Sequence, residues 1–77
     1  MKPICKTPND SWRYANFTSA VKGLSNWQIA KCFNVLDSGS DYRGMNKTTM
    51  AQHFIDGDMS HVTGEQLRDS VRKVMGF

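Results

Sequence analysis

Along residues 25–55, SNWQIAKCFNVLDSGSDYRGMNKTTMAQHFI, the apolar positions fall into two helical bursts separated by a polar stretch. Ile29, Cys32, Phe33 and Leu36 recur at three- and four-residue steps, which places them on one helical face, with Lys31 and Asn34 on the other side. Ser25 and Gln28 have the spacing of a capping box, so the predicted helix covers 26–36. Asp37, Ser38, Gly39, Ser40 and Asp41 end it, because such residues favour turns and compete for backbone hydrogen bonds. The second burst is Met50, Ala51, Phe54 and Ile55. Asn46 is placed to cap a helix over 47–55, which Asp56, Gly57 and Asp58 terminate. Thr48, Thr49, Gln52 and His53 form its polar outer side, and Lys47 lies near its N-terminal end.

The flanks supply two more helices. Pro3 and Pro8 predict an extended arm over 1–9, made mildly basic by Lys2 and Lys6. Asp10 then caps a helix over 10–22 that turns Tyr14, Phe17 and Val21 inward and Arg13, Asn16 and Lys22 outward. Trp12, in its first turn, is expected to wrap over the domain edge. Gly23 stands just past the helix, with Leu24 supplying the closing apolar contact. A connection as short as Gly23, Leu24 and Ser25 predicts that the first two helices are close neighbours at a steep angle. The segment 59–62 reads as a turn or a brief extended piece. Thr63 and Gln66 form another capping-box pair, ahead of a helix over 64–75 with Leu67, Val71 and Val74 or Met75 inward. Arg68, Asp69, Arg72 and Lys73 are outward. The expected fold is all-α: an arm over 1–9 and one small domain of four short helices over 10–77. Its expected core is Phe17, Ile29, Phe33, Leu36, Phe54, Leu67 and Val71.

The segment WQIAKCFNV resembles the first helix of the helix-turn-helix DNA-binding motif. Ala30 matches the alanine that packs where two helices cross, and Val35 the aliphatic residue five positions later. Asn34 stands where the family usually has a turn glycine. The match stops there: Ser40 occupies the place of a buried aliphatic residue, and the next helix starts only near Asn46. The resemblance implies a helix-turn-helix-like domain in which the helix starting at Lys47 enters the major groove of double-stranded DNA. Thr48, Thr49, Gln52 and His53 would then face base edges, while Arg43, Lys47 and the helix N-terminus capped by Asn46 would hold phosphates.

Composition narrows the alternatives. At 77 residues, the chain is one domain with a small core, and a homodimer or a larger partner would add stability. A net charge of +3, from ten basic and seven acidic residues, leans towards an anionic partner without announcing one. The absence of a long apolar run or a secretion signal predicts a cytoplasmic protein without membrane contact. Cys5 and Cys32 are then expected to be reduced thiols. With His53 and His61 they lack the close-pair spacing of a zinc site, and Asp37, Asp41, Asp56 and Asp58 lack the pattern of a calcium loop, so no metal or cofactor is expected. The two histidines belong to no catalytic motif, and so small a core frames little pocket, so a binding protein is expected rather than an enzyme.

The expected function is therefore a small DNA-binding transcriptional regulator. The alternative is an adaptor or inhibitor that blocks a site on a larger host protein, a build similar to that of small stand-alone phage and plasmid proteins. Its interface would centre on Tyr42, Arg43 and Met45, because aromatic residues, Met and Arg are enriched in interface cores.

Overall fold

A computed structural model describes residues 3–76 of the chain. It contains four helices: α1 (Pro8–Ala20), α2 (Asn26–Leu36), α3 (Lys47–Asp56) and α4 (Gly64–Met75). No strand is present among the described residues, and no described helix is long and apolar enough to cross a membrane.

The helix starts follow their caps. Ser25 and Thr63 each accept a hydrogen bond from the backbone N–H of the glutamine three residues on, and that glutamine accepts one from the cap backbone in return. Asn46 Oδ1 accepts from Thr49 N–H at 2.8 Å. The start of α1 corrects the sequence expectation. Pro8 opens the helix instead of excluding it, because the first helical residue needs no N–H bond and proline presets its φ. Thr7 is the cap, accepting from Asp10 N–H at 3.2 Å. Asp10 sits inside the first turn and accepts from Lys6 N–H at 2.9 Å. Of the expected basic arm, Lys2 lies outside the described residues.

The helices pack as a square. α1 and α2 each contact both α3 and α4, but α1 and α2 lie across one diagonal without close backbone contact, and α3 and α4 across the other. The short link did not make the first two helices neighbours. Gly23, at φ +82°, turns the chain, and the rings of Phe17 and Phe33 meet edge to face between the two axes, 5.9 Å apart. Phe17 also touches Phe54 at 6.0 Å, so this one side chain joins α1, α2 and α3. On the opposite side Ser70, buried, donates to the Cys32 carbonyl at 2.7 Å and lets α4 approach α2 closely.

The core contains Phe17, Ile29, Phe33, Phe54, Leu67 and Val71 as expected, together with Val21, Met50, Met59 and Tyr42. Leu36 is only partly buried. Ala30 is fully buried, but the structure has no turn at Asn34. α2 runs on through Asn34 to Leu36, no described non-glycine residue has a positive φ, and Val35 is 56% exposed. Burial pushes the Cys32 thiol pKa up, while Cys5 is exposed, and neither is bonded.

Candidate nucleic-acid interface

The outer side of α3 is largely engaged by the protein itself. The Gln52 side chain grips the N-terminal arm in a two-way clasp: its Oε1 accepts from Ile4 N–H at 2.6 Å and its Nε2 donates to the Ile4 carbonyl at 3.1 Å. Nε2 also donates to Asp56 Oδ1 at 3.1 Å. An amide so occupied is not presented for reading a base edge. His53 is turned towards the core, its ring edge-on to Tyr42 at 5.6 Å and its Nδ1 enclosed 3.9 Å from Asp58 Oδ2. Arg43 is exposed but paired within its own loop, Nε and Nη2 each 3.0 Å from an Asp41 oxygen. The same pair holds the Asp41 carboxyl below its ordinary pKa. Asn46 is committed to the cap. Lys47 and Thr49 remain on the surface, and Thr48 is half-buried.

The alternative interface is also taken apart. Tyr42 is fully buried, edge-on to Phe33 at 5.1 Å, and donates its hydroxyl to Asp37 Oδ2 at 2.9 Å. It is the peg that holds the polar loop on the core, and Met45 packs against the same cluster. Burial first, then the bond to Asp37, raises the Tyr42 pKa to about 12. A phenol in an unfolded chain titrates near pH 10. A raised folded value therefore contributes stability that is whole below about pH 10 and is lost as pH climbs through about 12. Tyr42→Phe removes this titration, so the melting temperature of the parent should fall more steeply than that of the variant between those pH values. Parallel curves would show that the phenol is not held in this way.

What the fold assembles instead is a basic strip over α1. α3 runs antiparallel to α1, which sets Lys47 and Thr48 beside Tyr14 and Thr18 on one flank. α4 lies on the other flank, where Arg68 reaches Asn16 Oδ1 at 3.4 Å. There Lys22, Arg68 and Arg72 line one groove with Ser19, Ala20 and Val71. Between the flanks the surface of α1 is built from Ser11, Tyr14, Ala15, Thr18, Ser19 and Lys22. No Asp or Glu lines any of these three surfaces. Glu65 and Asp69 stand on the far side of the two arginines, and Asp69 is drawn to Lys73 at 3.3 Å. Lys22, Lys47 and Arg72 have no ion-pair partner among the described residues.

The sequence placed Lys22, Arg68 and Arg72 outward but gave no sign that they converge. Their only local signal is the four-residue step from Arg68 to Arg72, which sets both on one side of α4. No family model, curated protein or solved structure matches the chain.

Proposed function

We propose that the protein is a small DNA-binding domain that holds its ligand by the phosphate backbone, on the strip over α1 rather than on the face of α3. The convergence of Lys22, Arg68 and Arg72 in a groove that no described Asp or Glu lines carries this reading. Lysine and arginine bind phosphate chiefly by charge, and each neutralised phosphate releases counterions. Small side chains along Ala15 and Ser19 let a backbone lie close between these cations and Lys47. Regulation of transcription would follow from occupancy of a site, and phosphate contacts alone position without specifying sequence.

The test is fluorescence anisotropy with labelled DNA, duplex and single-stranded, at two or more salt concentrations. Replacing Lys22, Arg68 and Arg72 together by Ala should weaken binding and flatten the slope of log affinity against log salt by about two on single strands and nearly three on duplex. Arg43→Ala should change little, because Asp41 already neutralises that guanidinium. Failure of the parent to bind either form at low salt ends the proposal.

A protein-binding module is the second reading, favoured by the outer stripe of α2. Trp27 and Val35 are 52% and 56% exposed at four-residue steps from Lys31, whose ammonium lies over the Trp27 ring at 5.4 Å. Trp27→Ala would leave DNA affinity intact and abolish capture of a stoichiometric protein partner.

A further inference from the structure

Trp12 occupies a position that the core does not explain. It was expected to wrap over the domain edge, yet it is 67% exposed. It makes no aromatic or cation–π contact among the described residues, in contrast to Trp27, which Lys31 covers. The helical repeat puts Trp12 on the same outward side of α1 as Ala15 and Ser19. Ser19 is two turns further along, about 10 Å, and there the basic groove begins. An indole without a ring or cation partner among the described residues thus stands at one end of a strip formed by Tyr14, Ala15, Thr18 and Ser19, and Lys22, Arg68 and Arg72 line the groove at the other end.

We infer, on the basis of the backbone-binding reading above, that the strip takes single-stranded nucleic acid, with an unpaired base stacked on Trp12 while Lys22, Arg68, Arg72 and Lys47 hold the phosphates. Two observations separate this ligand from duplex DNA. A duplex keeps its base faces stacked inside, so an exposed indole gains from it only by wedging between base pairs, whereas every base of a single strand offers a π-face. Reading a duplex also needs an element that enters a groove. The helix best placed by sequence for that task has Gln52 tied to the arm and His53 turned inward. Charge complementarity along the strip and an aromatic platform beside it are the two parts of a single-strand site.

Trp12 and Trp27 are the two tryptophans of the chain, so Trp27→Phe leaves Trp12 as the sole indole reporter. Titrating that protein with oligothymidylate should quench its emission, and the oligonucleotide should bind more tightly than a duplex of equal length. Trp12→Ala should lower the single-strand affinity on the order of tenfold with an unchanged salt slope, and Trp12→Phe should retain part of it. Both variants should keep the parental helical circular dichroism, because the side chain lies outside the core. Three results would overturn the inference while leaving the phosphate reading intact: single-strand affinity unaffected by Trp12→Ala, emission unmoved on binding, or duplex bound at least as tightly. Absence of binding to either form at low salt would overturn both together.

Discussion

Phe33→Ala is expected to lower the unfolding free energy by about 3–5 kcal/mol. The side chain is fully buried, and its ring is edge-on to Phe17 at 5.9 Å and to Tyr42 at 5.1 Å. Truncation therefore removes the transfer energy of the ring and both aromatic contacts, and it leaves a cavity where α1, α2 and the polar loop meet. A domain this small rarely has more than about 3–5 kcal/mol of net stability, so the variant should be largely unfolded at 37 °C. Equilibrium denaturation followed by far-ultraviolet circular dichroism measures the loss. A variant that melts with the parent would show that the three rings do not form one packed centre.

Arg13 should be the polar residue whose loss costs most. Its Nε donates to the Phe54 carbonyl at 2.8 Å, and its Nη2 donates to the carbonyls of Met59 at 3.1 Å and Val62 at 2.7 Å. The guanidinium also lies over the Phe54 ring, 4.1 Å from its centre. One cation thus ties α1 to the C-terminal end of α3, where carbonyls lack helical partners and the helix dipole is negative. It also ties down the turn that leads into α4. Arg13→Ala should cost about 2–4 kcal/mol, less than the sum of three charged hydrogen bonds because water can reach part of the site. Arg13→Lys should recover only a fraction, since an ammonium keeps the charge but not the planar fork. Amide exchange at Met59, whose N–H donates to the His53 carbonyl, should quicken in both variants. An Arg13→Lys protein as stable and as protected as the parent would refute the clamp.

The expectation that Arg13 points outward shows where one-dimensional reading stops. Its acceptors lie 41 to 49 positions away, and on a helical wheel an arginine near the rim is indistinguishable from a solvated one. Tyr42 misled in the opposite direction. In a loop rich in Gly, Ser and Asp it read as an exposed contact residue, but its bond to Asp37 spans five positions and turns the ring inward against Phe33. Gln52 looked available for a base edge only because a sequence does not show that an arm 48 residues earlier lies across α3. Arg13 and Gln52 find their partners in distant segments, whereas Tyr42 bonds within its own loop and is buried by the ring of Phe33 on α2.

The helices and most of the core follow from signals that act along a few residues of chain. Caps at Ser25, Asn46 and Thr63 act within three residues, and three- to four-residue periodicity is a property of one helix, so both can be read locally. Even the early start at Pro8 obeys a local rule, the tolerance of proline in the first helical position. Which helices are neighbours is a matter of long-range packing, because the square arrangement depends on how Phe17, Phe33 and Phe54 share the centre. That choice brings Lys22 to Arg68 and Arg72, sets Lys47 across α1 from them, and leaves Trp12 uncovered. Long-range packing, not local propensity, brings four of the ten basic residues to one strip.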